Sequence, residues 1–211
     1  MSYVLQYIAQ GEHLHQDFKM RVDSSQKIAR SLVAFANTEG GRLLIGVKDN
    51  GSVCGISPNE ELHMVIRSAE EFCRPALHFN HQLWKVDGKF ILEISVEESA
   101  KKPVQCLVEG QWISYIRVAD KTWQASNVWN RMHAIQEESG ASGNLFQFKE
   151  RESQLFELLK NQQMSLNQLA RKLNLPRPVV MNHLAKLMKW NILSEVYVEG
   201  KFLYTLKKTT D

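Results

Sequence analysis

The sequence predicts an α+β protein of two domains, and three observations carry that reading. Ala34–Gly51 packs a helix end, a glycine turn, an apolar strand and a hairpin turn into eighteen residues. Strand-like runs follow it at Phe79 to Val86, Lys89 to Val96 and Trp112 to Val118. The last third then changes pattern and charge together, with three helical periodicities followed by two short strand-like runs.

Each element has a local reason. Ile28, Leu32 and Phe35 recur at helical spacing, so an amphipathic helix precedes the glycines. Gly40-Gly41 supplies the positive-φ ending that such a helix needs. Leu43 to Val47 is a short apolar run, the pattern of a strand covered on both faces. Asn50-Gly51 is a strong hairpin signal, with Val53 opening the returning strand. Leu62, Val65, Ile66 and Ala69 make a helix that ends before Pro75, and Asp87-Gly88 turns a second hairpin. From Ala125 onward, Val128, Met132 and Ile135 at helical spacing close the first domain. Trp84, Trp112, Trp123 and Trp129 are expected in the core or at interfaces rather than as stacking platforms for bases.

Composition narrows the class. With 44% hydrophobic and 23% charged residues, the chain is an ordinary globular sequence. No apolar run approaches the roughly 18 residues of a membrane span, and Met1 to Gln10 lacks the pattern of a signal peptide. Cys54, Cys73 and Cys106 are odd in number and far apart in sequence, which fits reduced, inert thiols in a cytoplasmic protein.

Charge divides the chain. Residues 1–145 carry a net charge of −2, and residues 146–211 carry +5. Between them, Glu137 to Asn144 is polar, small and glycine-bearing, which is linker chemistry. The expected domains are therefore residues 1–137 and 147–211, joined by a linker over 138–146. In the basic part, Leu155, Phe156, Leu158 and Leu159 mark one helix, and Ser165 caps a second through Leu173. Asn174-Leu175-Pro176 turns the chain into a third helix, running to about Trp190 and burying Val180, Leu184 and Leu187. Leu193 to Val198 and Phe202 to Leu206 form a hairpin about Glu199-Gly200-Lys201.

Helix, helix, turn, helix, hairpin is the order of a winged helix-turn-helix, and this stretch resembles that family. If Val180, Leu184 and Leu187 face the core, then Asn182, Lys186 and Lys189 project from the opposite side of the third helix. Arg177 stands at its amino-terminal end, where recognition helices meet base edges. Arginine pairs with guanine and asparagine with adenine, while lysines neutralise phosphates. Lys201 at the hairpin tip is placed to reach the backbone or the minor groove.

The first domain carries a second resemblance. Glu12, Asp17-Phe18-Lys19, the Ala34–Gly41 segment, Leu44-Ile45-Gly46-Val47, Asp49 and Tyr115-Ile116-Arg117 together resemble the Alba-like domain of the Schlafen family, over about Tyr7 to His133. Some Schlafen proteins cleave RNA with a metal-dependent carboxylate triad. The resemblance assigns those positions to Glu12, Asp17 and Asp49, which would hold Mg²⁺ or Mn²⁺, with Asp17 one methylene shorter than the family's glutamate. Lys19 and Arg117 are the candidates there for phosphate contact. His13 and His15 flank the motif and read as exposed polar residues. No Gly-x-x-x-x-Gly-Lys-Ser/Thr loop occurs, so the sequence supports no ATP site.

The expected function is sequence-directed DNA binding in transcriptional control, as a homodimer without a cofactor. The alternative is a metal-dependent ribonuclease acting through Glu12, Asp17 and Asp49. A protein-interaction adaptor is the third reading.

Overall fold

The computed structural model describes residues 3–135 and 150–207; the linker expected over 138–146 lies outside them. Two compact units emerge, Met1–Ala125 and Ser126–Asp211.

The first unit runs α1 (Tyr3–Gln10), β1 (Gln16–Lys19), α2 (Ser25–Asn37), β2 (Gly41–Ile45), α3 (Pro58–Glu71), β3 (Cys73–Arg74), β4 (Asn80–Val86), β5 (Lys89–Val96), β6 (Gln105–Val108), β7 (Gln111–Ile113), β8 (Tyr115–Val118) and β9 (Lys121–Gln124). Its main sheet has the order β1-β2-β5-β4. Only β1 and β2 are parallel, and α2 is the crossover that parallel neighbours require. Smaller sheets form from β3-β6-β7 and from β8-β9.

β2 is the buried centre, as its apolar run predicts. Leu43 and Ile45 pack with Ile28, Leu32 and Phe35 on one face. Leu44, on the other face, joins Val4, Phe18, Val47 and Ile91. Each such side chain contributes about 1.5–3 kcal/mol on burial, so this strand anchors two cores at once.

The double glycine has a physical reason at each position. Gly40 sits at φ +72°, and a Cβ there would lie 2.8 Å from the Val96 carbonyl oxygen. A Cβ on Gly41 would lie 2.3 Å from the Phe35 ring. The residues before them act as braces. The Asn37 side chain donates to the Val104 and Tyr115 carbonyls and accepts from the Val104 N–H, all at 2.8 Å. Thr38 Oγ1 accepts from the Arg117 N–H at 2.9 Å.

Two expectations change in this unit, and the cysteines fall as expected. Asn50-Gly51 does turn the chain, but the returning strand shrinks to a single bridge between Val47 and Val53. Trp112 to Val118 is two strands, β7 and β8, in different sheets. Cys73 and Cys106, distant in sequence, stand opposite each other across β3 and β6. Both are buried free thiols. Burial pushes Cys73 up to about 12 and Cys106 to about 11, which keeps them protonated and inert.

The second unit comprises α4 (Asn127–Ala134), α5 (Glu150–Leu159), α6 (Leu166–Leu173), α7 (Arg177–Lys189), β10 (Leu193–Val198) and β11 (Lys201–Leu206). Leu155, Leu159, Leu169, Val180, Leu184 and Leu187 form its core. Ser165 and Gln168 make a capping box that starts α6, and Asn174 at φ +51° ends it. Glu199 and Gly200 both adopt positive φ, as a tight β10–β11 hairpin demands.

Helix α4 overturns the expected boundary at 137. Its apolar stripe does not close the first unit: Val128 is buried in the second core, with Met132 and Ile135 packed against it. Periodicity identifies the helix correctly but carries no information about which core it joins. Among the described residues, no helix is long and apolar enough to cross a membrane.

Candidate nucleic-acid interface

Helices α6 and α7 and the β10–β11 wing carry five of the exposed cations of the second unit, Arg171, Lys172, Arg177, Lys186 and Lys201. None of the five makes an ion pair with another described residue within 4 Å. Arg171 and Arg177 also line a groove of about 400 Å³ with Asn167, Ala170 and Leu175. Uncommitted cations on a rigid helix can neutralise phosphates without first breaking an internal pair.

α7 owes its position to packing on one side and to a buried pair on another. Val180, Leu184 and Leu187 are buried, as their spacing predicts. His183 Nδ1 lies 2.8 Å from Glu152 Oε1, tying α7 to α5, and the Glu152 side chain is only 6% exposed. Sequence reasoning misses this pair. A glutamate in the first turn of a surface helix looks solvated until the fold shows what covers it.

Two of the predicted contacts on α7 are corrected. Helical spacing turns Asn182 and Lys189 outward with Lys186, yet both are half-buried. Arg131 Nε donates to Asn182 Oδ1 at 2.7 Å, and Lys189 Nζ donates to the Ile135 carbonyl at 2.6 Å. Ala185, fully buried, lies between them on the same stripe. Helix α4 occupies that stripe, which leaves Arg177 and Lys186 as the outward residues of α7.

The start of α4 is fixed to the wing. Ser126 Oγ caps the helix by accepting from the Trp129 N–H at 2.9 Å, and it donates to Glu195 Oε2 at 2.5 Å. Burial raises the Glu195 carboxyl above its ordinary value, and the bonds from Ser126 and Tyr204 offset this only in part.

The acidic motif of the first unit is built differently. Asp17 is buried on β1, where Lys19 Nζ reaches its Oδ2 at 2.7 Å. Ser31 Oγ donates to the same oxygen at 3.4 Å, and Arg117 lies 3.7 Å from Oδ1. Glu12 Oε1 accepts from the Phe18 N–H at 2.8 Å. Burial raises the Glu12 carboxyl, and a hydrogen bond shared with Asp17 raises it further.

Arg117 is therefore corrected from a phosphate contact to an internal brace. Its side chain is 1% exposed. The guanidinium donates to the carbonyls of His13 at 2.7 Å and Gln16 at 3.1 Å, and stacks over Phe35 at 4.9 Å. Lys19 is committed to Asp17. His13 and His15 are half-buried rather than exposed, with their rings 6.1 Å apart. Trp84 donates to Glu93 at 2.7 Å and Trp129 is buried, which suits packing roles; Trp112 stays partly exposed.

The carboxylates do not gather as a metal centre. Glu12 and Asp17 meet, whereas Asp49 is exposed on the turn beyond β2. Among the described residues, no three His, Cys, Asp or Glu side chains are grouped so that they could hold a metal ion. Oxygens already engaged by Lys19, Ser31 and the Phe18 N–H do not suit a hard cation that requires several free oxygen ligands.

Fold and surface together define a helix-turn-helix protein with a wing, preceded by a mixed α/β domain. A family model for the Schlafen AlbA_2 domain matches residues 12–126, and one for the bacterial regulatory protein arsR family matches residues 150–195. The chain belongs to the Schlafen AlbA_2 family, and the two matches together point to a nucleic-acid-binding protein. Curated proteins offer no match. Among solved structures, the DIP2311 protein from Corynebacterium diphtheriae is 20% identical with a TM-score of 0.44; the likeness covers 57% of this chain and only 23% of that one. The N-terminal domain of a RecG-related protein from Nitrosomonas europaea is 22% identical with a TM-score of 0.43, over 67% of this chain and 97% of that one.

Proposed function

We propose that this chain is a DNA-binding transcriptional regulator that docks on duplex DNA through α7 and the β10–β11 wing. One observation carries the reading: Arg171, Lys172, Arg177, Lys186 and Lys201 are exposed and make no ion pair with another described residue, whereas Lys19 and Arg117 are committed to Asp17. Arg177, in the first turn of α7, meets base edges, with guanine its preferred partner. Lys186 and Arg171 neutralise phosphates, and Lys201 reaches the backbone from the wing. The protein acts as a homodimer, because helix-turn-helix proteins read two half-sites about one helical turn apart.

The ribonuclease alternative draws no support from the acidic motif, whose carboxylates are engaged elsewhere. Selection of the full chain against random duplex DNA, run beside total RNA, tests the reading. The expected result is enrichment of a duplex inverted repeat that Arg177→Ala fails to retain. Enrichment of RNA alone would overturn it.

A further inference from the structure

The first unit holds a cleft that opens beside Asp17, Lys19 and Arg117 and extends beyond the acidic motif onto α2 and the β8–β9 hairpin. It measures about 420 Å³, within the range of small-ligand sites. Asp17 on β1 lies at its floor, α2 contributes Lys27, Arg30 and Ser31, and the β8–β9 hairpin contributes Lys121 and Trp123.

Charge is the informative property. Asp17 is already neutralised by Lys19 at 2.7 Å and Arg117 at 3.7 Å. Lys27 reaches Asp23 at 3.0 Å on the open surface. Arg30 and Lys121 remain, and neither makes an ion pair within 4 Å among the described residues. Asp120, also on the lining, is the single acid left to oppose them. Arg30 is half-buried, and its guanidinium is held over the Tyr115 ring at 4.9 Å. A planar donor fork fixed in that way and lacking a carboxylate suits a phosphate group. Trp123 supplies an indole on the same wall, and indoles stack on planar rings.

We infer that this cleft binds a nucleoside 5′-monophosphate, with the phosphate on Arg30 and Lys121 and the base against Trp123. The same chemistry occurs in a free nucleotide and at the 5′-phosphate end of a nucleic-acid strand. The inference goes beyond the DNA-binding reading and does not depend on it.

Calorimetric titration of the full chain tests it, using AMP, adenosine, and a trinucleotide with either a 5′-phosphate or a 5′-hydroxyl. Saturable binding of AMP without binding of adenosine is expected, and it identifies a free nucleotide as the source. Binding confined to the 5′-phosphorylated trinucleotide supports the same site filled by a strand end. In either case Arg30→Gln and Lys121→Ala each weaken binding about tenfold. Lys121 lies on the exposed hairpin, so its variant guards against a folding defect in the Arg30 one. Binding of neither phosphate compound, equal binding of adenosine, or affinity unchanged in both variants would overturn the inference.

Discussion

The two units place similar residues in opposite circumstances. In the first, Lys19 and Arg117 both lie within 4 Å of Asp17, and Arg117 is sealed beneath backbone carbonyls. In the second, Arg171, Arg177 and Lys186 stand on helix surfaces with no acid in ion-pair range among the described residues. A charge that is buried and fully engaged organises a fold, whereas an exposed and uncommitted one is available to a polyanion. The acidic motif, the more conspicuous in sequence, is the one whose charges are engaged internally.

The largest effect is expected where that contrast is sharpest. Arg117→Ala removes one donor from each of the His13 and Gln16 carbonyls and one of the two cations beside Asp17, and should destabilise the first unit by about 1.5–3 kcal/mol in urea unfolding. A loss below about 1 kcal/mol, the scale of an exposed pair, would break the distinction between the units. A smaller effect sharpens the picture within α7. Because Asn182 and Lys189 already serve α4, Asn182→Ala and Lys189→Ala should each reduce duplex affinity less than Arg177→Ala does. Equal losses in a filter-binding assay would restore the four-residue face that helical spacing suggests.

The smallest effect is a pH dependence in the second unit. Burial holds the Glu195 carboxyl above its ordinary 4.5. The folded unit thus binds that proton more tightly than the unfolded chain does. The resulting stability is fully present below pH 4.5 and is lost as pH rises through the raised value. Glu195→Gln should flatten this decline in thermal melts; an unchanged slope would remove Glu195 as its source.

Much of the fold is legible in the sequence because local rules agree. The Ala34–Gly51 segment and the Ser165–Leu206 order rest on periodicity, capping and glycine geometry, which neighbouring residues alone determine. Partnership is not legible. Nothing near Val128 in sequence says that α4 packs on α7, so Asn182 and Lys189 look free. The distance from His13 to Arg117 along the chain likewise conceals the carbonyls that claim its guanidinium. Asn37 offers one readable clue, since an amide inside an apolar helix must find partners. Its partners, Val104 and Tyr115, only the fold can supply.

The central claim is that the outward cations of α7 carry DNA binding. The slope of log affinity against log salt, measured for the full chain on duplex DNA, reads it directly. Replacing Lys186 by alanine should lower the magnitude of that slope by about one, the contribution of the one phosphate no longer neutralised. An unchanged slope, with affinity intact, would contradict the claim and move the interface off α7.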